Sequence, residues 1–191
     1  MSAVNRDTSP SPTSPWVVPG EYTVVLTAGG KSYAQPLTVK MDPRVKVSQA
    51  ELEEQLTLSR QLCEVRTGLE PIGKIFDSIV EQLTKLREQS LPKNVEEKLS
   101  ALNNKLKELG PPNPRPDATP SLHALDSAKD LSAQIQGVDA APTDRVKAAV
   151  TAVRSQAAEL TKRWREIIEQ EVPALDRELQ AAGLSRLKLA P

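Results

Sequence analysis

Two long stretches of the chain carry apolar side chains at helical spacing, and they constrain the fold more than any other feature. Apolar residues recur every three or four positions from Leu52 to Leu86 and again from Val146 to Leu179. This period places them on one face of a helix, which must be buried against other helices. Two shorter stretches with the same period, 93–109 and 120–137, lie between them. The sequence therefore predicts a mainly α fold, an antiparallel bundle of long kinked and short helices with coiled-coil-like packing.

Particular residues mark the ends and interruptions of these helices. Ser48 and Glu51 have the S-x-x-E spacing of a capping box, so we expect the first helix to begin there. Pro71 lies inside the first helix, and we expect a kink because the apolar register continues through it. Pro173 predicts a second kink in the last helix. Gly110 and the prolines after it predict a loop that ends the second helix.

The predicted core positions of the two long helices follow from the same spacing. Those of the first helix are Leu52, Leu56, Ser59, Cys63, Arg66, Leu69, Ile72, Phe76, Ile79, Leu83 and Leu86. Those of the last helix are Val146, Val150, Val153, Ala157, Leu160, Trp164, Ile168, Val172, Leu175 and Leu179.

A β-hairpin is predicted ahead of the helices. The β-rich stretches 21–28 and 31–40 flank Gly29 and Gly30, and a two-residue type I′ turn needs positive φ at both central positions. One face would carry Tyr22, Val24, Leu26, Tyr33, Leu37 and Val39, and the other Thr23, Val25, Thr27, Ser32, Ala34 and Thr38. A two-stranded hairpin alone is only marginally stable in water. This hairpin therefore either packs on the rest of the chain or belongs to a larger sheet.

The composition argues against several classes of function. The 191 residues include 25 Lys plus Arg and 25 Asp plus Glu, so the formal net charge is zero, which argues against nucleic acid as a partner. One cysteine, Cys63, and one histidine, His123, exclude an internal disulfide and a metal centre built from several cysteines or histidines. No apolar run reaches the length of a membrane span. Residues 1–15 lack the apolar segment of a signal peptide, which leaves the localisation open.

We predict no catalytic, cofactor-binding or metal-binding residue. Cys63 has the position of a buried structural cysteine, because a nucleophilic thiol would need a nearby base. His123 lies near a helix start, on a different helix from Cys63. Trp16 and Trp164 are expected to be buried where elements pack, although either indole could stack on a ligand.

Acidic groups on the helices are the remaining candidates for chemistry. They include Glu51, Glu53, Glu54, Glu166, Glu169 and Glu171. A pair of carboxylates can hydrolyse glycosides when held about 5–10 Å apart across a cleft. On helices with balanced charge, however, such groups usually form a solvated face with partners four residues away, such as Arg163 and Glu159. We therefore disfavour an enzyme with a carboxylate site on these helices.

Two stretches carry a resemblance to a known family. Residues 15–48, PWVVPGEYTVVLTAGGKSYAQPLTVKMDPRVKVS, contain PG-x-Y-T-V-x-L followed by Y-x-Q-P-L-x-V-x-x-D-P-R. Residues 139–184 contain R-W-x-E-x-x-x-x-x-x-P-A-L from Arg163 to Leu175. Both resemble the C-terminal region of large bacterial proteins with sortilin-like BNR (Asp-box) repeat propellers, commonly labelled glycosyl hydrolases. The similarity covers nearly all of residues 15–185.

The resemblance implies a secreted or cell-surface parent in which propellers precede an Ig-like β-sandwich and then this bundle. The S-x-D-x-G-x-T-W Asp-box signature is absent from the sequence, so the resemblance transfers no active-site residue and no cofactor. We expect a disordered Ser/Pro-rich leader at 1–15, a hairpin of an Ig-like module at 16–44 and a helical bundle at 48–185.

Two functional hypotheses follow. The first is a non-catalytic accessory region whose partners are the parent's propeller and Ig-like domains, or another protein. The alternative is a free-standing helical bundle that binds a partner protein. This alternative predicts that the hairpin packs on the bundle and shields Val24, Leu26 and Leu37 from solvent.

Overall fold

The structure is a computed structural model that describes residues 14–109 and 122–189. Its elements are β1 (Gly20–Ala28), β2 (Lys31–Val39), α1 (Gln49–Arg87), α2 (Lys93–Leu109), α3 (His123–Gln136), α4 (Asp144–Glu166), a π-helical turn (Ile167–Glu171) and α5 (Val172–Ala181). The predicted fold class, a mainly α bundle preceded by a β-hairpin, is confirmed. Nearly all of the predicted leader, and the loop expected after the second helix, lie outside the described residues.

The helices form three antiparallel legs. α1 is the first leg, 39 residues and thus about 58 Å long at 1.5 Å per residue. α2 and α3 return along it, and α4, the π-helical turn and α5 form the third leg. At one end, Gln55 of α1 donates a hydrogen bond to the carbonyl of Val138 at 2.8 Å. At the opposite end, Asn94 at the start of α2 bonds Glu178 of α5 at 2.5 Å.

Three apolar clusters fill the bundle along its length. The first combines Leu58 and Leu62 of α1 with residues of α3 and α4, and the second lies around Leu69 and Leu160. The third and largest joins the C-terminal half of α1 with α2 and α5 and includes Trp164, whose ring centroid lies 6.5 Å from that of Phe76. The core therefore belongs to the helices, and the hairpin contributes no side chain to these clusters.

α1 begins where the capping box predicts. The backbone N–H of Ser48 donates to Glu51 Oε2 at 2.8 Å, and the backbone N–H of Glu51 donates to Ser48 Oγ at 3.3 Å. The helix continues through Pro71 as one element. Because proline has no N–H, Pro71 leaves the carbonyl of Thr67, four residues earlier, without its helical hydrogen bond. Both residues are exposed, so water can hydrate that carbonyl.

At Pro173 the helix is irregular, because a π-helical turn, Ile167–Glu171, lies just before the proline. Pro173 cannot donate to the carbonyl four residues earlier, and its ring would collide with that carbonyl in an α-helix. Before it, the N–H of Val172 bonds the carbonyl of Ile167, five residues back. This wider turn rotates the apolar face, so Ile167 is buried instead of the predicted Ile168, which is only partly buried.

Six predicted core residues of α1 are buried, namely Leu52, Ser59, Leu69, Phe76, Ile79 and Leu83. Five others are only partly buried, namely Leu56, Cys63, Arg66, Ile72 and Leu86. In the N-terminal third, Leu58 and Leu62 are buried although they were not predicted. A seven-residue repeat extrapolated over many turns drifts by about 20° per heptad relative to a straight helix. The expectation that Cys63 is a fully buried cysteine is therefore wrong.

Candidate functional site

The hairpin presents an apolar face that no helix covers. The register pairs Tyr22 with Leu37, Val24 with Gln35 and Leu26 with Tyr33, so the two predicted faces are confirmed. Four large side chains of this face, Val24, Leu26, Tyr33 and Leu37, are 51%, 63%, 56% and 47% exposed. We call these four residues the exposed apolar face. Contiguous exposed apolar surface of this kind marks sites where proteins bind one another.

The turn of the hairpin depends on two glycines. Gly29 has φ of 56° and Gly30 has φ of 74°, as a type I′ turn requires. No atom lies within 4 Å of a Cβ built at either position, so the need for glycine is conformational and not steric. The turn fixes the register, and the register places the apolar residues together on one side.

The hairpin is attached to the bundle at its base. The backbone N–H of Trp16 donates to Gln136 Oε1 of α3 at 2.9 Å, which joins the two parts. Within the base itself, the Tyr22 hydroxyl donates to the Val18 carbonyl at 2.6 Å. After β2, Asp42 accepts hydrogen bonds from the backbone and the guanidinium of Arg44. These bonds lower the pKa of Asp42 and raise that of Arg44. The strands beyond this base are solvent-exposed.

A cavity of about 410 Å³ lies between this base and the bundle. Its lining includes Trp16, Met41, Leu52, Gln55 and Ser59. The size of the cavity suits a small ligand. The side-chain amide of Gln55, however, already donates hydrogen bonds to the carbonyls of Ile135 and Val138. Ser59 is buried, and its Oγ has no hydrogen-bond partner among the described residues.

The two tryptophans have different environments. Trp164 is buried, as expected. Trp16 is 66% exposed, so the expectation that it is buried is wrong. It lies on the segment that leads into β1 and lines the cavity beside α1, which leaves about two thirds of its surface in contact with solvent.

The structure places His123, Cys63 and the first acidic group in separate local environments. His123 is the first residue of α3 and is partly buried, and Cys63 lies on the partly exposed side of α1. Glu51 caps α1, and the hydrogen bonds that it accepts from the Ser48 backbone and hydroxyl lower its pKa. Glu54 pairs with Lys147 of α4 at 2.6 Å, which raises the pKa of Lys147.

In the second acidic group, Glu166 and Glu171 are brought together, since both line a cavity of about 450 Å³ that Glu159 also lines. Glu171 forms an ion pair with Lys105 of α2. Arg163 bonds Glu159 one helical turn earlier at 3.1 Å, as the sequence predicts. In the parts of the chain that the structure describes, no group of three or more His, Cys, Asp or Glu side chains is placed to hold a metal ion. None of the described helices is long and apolar enough to cross a membrane.

Two contributors to this site were missed in the sequence. Gln136 was unremarkable there, because only the fold brings it to Trp16. Pro36 carried a usable signal, since a proline inside a strand marks an edge of the sheet.

Comparisons with protein-family models, curated proteins and solved structures gave no match. Function is therefore inferred from the geometry of the chain and from the resemblance of its sequence.

Proposed function

We propose that this chain is a non-catalytic accessory region whose hairpin supplies two strands to a larger β-sheet completed from outside the described residues. The observation that carries the proposal is the exposed apolar face, with four large side chains each about half exposed. Full burial of one such side chain contributes about 1.5–3 kcal/mol. Covering the half of each that is still exposed would therefore contribute on the order of 3–6 kcal/mol.

The larger sheet that we propose is an Ig-like β-sandwich that follows the propellers of a secreted BNR-repeat protein. Sandwich sheets carry apolar residues on the inner face and polar residues on the outer face. The hairpin has this division except at one pair: Thr23, Thr27 and Thr38 lie opposite the exposed apolar face, with Val25 and Ala34 between them. The resemblance of residues 15–48 and 139–184 to the tail of such proteins supports the same assignment. The bundle would then serve as the base from which the sheet projects.

The alternative, a free-standing bundle that binds a partner, made a specific prediction about the hairpin. It required Val24, Leu26 and Leu37 to be shielded by the helices. These side chains are 51%, 63% and 47% exposed, so that prediction is wrong. We therefore favour the accessory region.

The DNA upstream of the Met1 codon tests the proposed parent. We expect an open reading frame that continues into Asp-box repeats and an Ig-like module. A stop codon followed by a ribosome-binding site directly before Met1 would contradict the proposed parent protein.

An activity assay tests the non-catalytic role. The purified chain, incubated with a panel of fluorogenic aryl glycosides, should release no fluorophore above a buffer blank, with an active glycosidase as the positive control. Turnover that disappears in Glu54→Gln or Glu171→Gln would contradict the proposal and restore the carboxylate hypothesis.

A further inference from the structure

The two outer edges of the hairpin are not equivalent, because β2 contains Pro36. The residues that flank a two-residue turn, here Ala28 and Lys31, form a hydrogen-bonded pair. Hydrogen-bonded and non-hydrogen-bonded pairs then alternate along an antiparallel ladder. Counting from the turn, Thr23 and Pro36 form a non-hydrogen-bonded pair. The ring nitrogen of Pro36 therefore faces away from β1, where its missing N–H costs the hairpin no bond.

This placement interrupts the outer edge of β2 and leaves the outer edge of β1 continuous. Four residues of β1 direct their backbone N–H and carbonyl groups away from β2, namely Glu21, Thr23, Val25 and Thr27. Within the described residues the sheet has two strands only, so no further strand satisfies these groups. An edge with a full set of donors and acceptors is a template for another strand. The sheet can therefore grow at β1 and not at β2.

The sequence of β1 is complementary to itself in the antiparallel direction. A two-fold axis through Val24 would place Glu21 opposite Thr27 and Thr23 opposite Val25 of a second copy. These outward-facing residues would form about eight backbone hydrogen bonds, two for each of four pairs. Glu21 is the one charged residue of β1, and it would face a threonine, so no like charges meet.

The same axis keeps the apolar side chains together. Tyr22 would lie opposite Leu26 of the second copy, and the two Val24 side chains would be neighbours. We infer that the outer edge of β1 binds β1 of a second copy of this chain, giving a four-stranded antiparallel sheet in the order β2–β1–β1–β2. Four strands exceed the number at which a sheet with one apolar face becomes stable. The inference goes beyond the proposed function but uses the same edge of the hairpin. A parent strand that completed the sheet would occupy the outer edge of β1, so the second copy binds where that strand is absent.

Two proline variants test which edge is used. Val25 and Ala34 are cross-strand partners in a non-hydrogen-bonded pair, so proline at either position leaves the β1–β2 ladder bonds in place. Val25→Pro removes an outward N–H from β1, and Ala34→Pro removes one from β2. By sedimentation over a range of concentrations, we expect the wild type and Ala34→Pro to dimerise alike, and Val25→Pro to dimerise at least about tenfold more weakly.

A cross-linking experiment tests the register and does not depend on the strands tolerating proline. In a Cys63→Ser background, Val24→Cys would place two thiols on the two-fold axis, where Cα atoms lie about 4.5 Å apart and can form a disulfide. Oxidised glutathione takes the two electrons and releases two molecules of glutathione. The matched control is Gln35→Cys, on the same face but on β2.

We expect covalent dimers of Val24→Cys on non-reducing gels at concentrations where Gln35→Cys stays monomeric. Equal cross-linking of both variants would overturn the inference, as would a wild-type chain that is monomeric at every concentration. Dimerisation that Val25→Pro leaves unchanged would also overturn it. None of these results would contradict the proposed function, which depends on the upstream reading frame and on the absence of turnover.

Discussion

A pair of leucine substitutions distinguishes a hairpin that projects into solvent from one that is packed on the bundle. Leu26 of the hairpin is 63% exposed, whereas Leu160 of α4 is fully buried. Leu160→Ala removes three methylene-sized groups from a packed core and leaves a cavity, so we expect the free energy of unfolding to fall by roughly 2–5 kcal/mol. Leu26→Ala removes the same atoms from a half-solvated site, and we expect a change of about 0.5 kcal/mol or less.

Thermal unfolding followed by circular dichroism at a helix-sensitive wavelength measures both variants. For a chain of this length, each kcal/mol shifts Tm by about 2–4 °C, so Leu160→Ala should lower Tm by roughly 4–20 °C. Leu26→Ala should lower it by no more than about 2 °C. The two variants carry the same chemical change and serve as controls for each other. If Leu26→Ala were as destabilising as Leu160→Ala, the hairpin would be covered by the helices and the reasoning would be refuted.

Three further predictions concern single contacts. The side chain of Gln82 exchanges two hydrogen bonds with the backbone of Lys188, at 2.9 and 2.8 Å. Gln82→Ala should therefore destabilise the chain by about 1–2 kcal/mol and speed hydrogen exchange of the Lys188 amide. An unchanged exchange rate would count against these two bonds. Ser48→Ala should cost about 1 kcal/mol of stability and raise the pKa of Glu51 in an NMR titration, because Ser48 supplies a hydroxyl hydrogen bond that lowers it. Because the pKa of Glu51 is lowered in the folded chain, its carboxylate stabilises the fold at pH values above the pKa of an unfolded glutamate. This contribution is lost as the pH falls through the lowered pKa. A Glu51 pKa that is the same in both proteins would argue against the capping box. Gly30→Val places a β-branched residue at φ of 74°, a backbone conformation that valine adopts only with strain. The NOEs between β1 and β2 should therefore disappear, while the circular dichroism of the helices stays unchanged. A hairpin that persists in this variant would contradict the type I′ turn.

Local features of the fold were predictable where the responsible residues are close in sequence. Ser48 caps α1 through Glu51, three residues away, and the two glycines set the turn without help from the rest of the chain. In α2, the five apolar residues at helical spacing, Val95, Leu99, Leu102, Leu106 and Leu109, are all buried. This helix is short enough that the difference between 3.5 and 3.6 residues per turn has no consequence.

Features that depend on distant parts of the chain were not predictable in the same way. In the N-terminal third of α1, the helices α3 and α4 decide which side is buried, and they select Leu58 and Leu62 over Leu56 and Cys63. At Pro173, the sequence predicted a disturbance of the helix but not the π-helical turn that precedes the proline.

The candidate site was predictable in composition but not in environment. Alternation along the strands placed Val24, Leu26 and Leu37 on one face, and the register agrees. Whether a helix would cover that face depends on the attachment at Trp16 and Gln136, which are 120 residues apart. Pro36 was overlooked, although its identity alone indicates that the outer edge of β2 is not bonded to a further strand.

Amide hydrogen exchange measured by NMR on the dilute chain tests the central claim most directly, namely that the hairpin stands apart from the bundle as an incomplete sheet. We expect the amides of β1 and β2 to exchange orders of magnitude faster than core amides such as those of Leu62 and Leu102, because a two-stranded hairpin opens without unfolding the helices. Raising the concentration should then slow exchange at Thr23 and Val25 but not at Ala34. Hairpin amides as strongly protected as the helical core in the dilute chain would contradict the account.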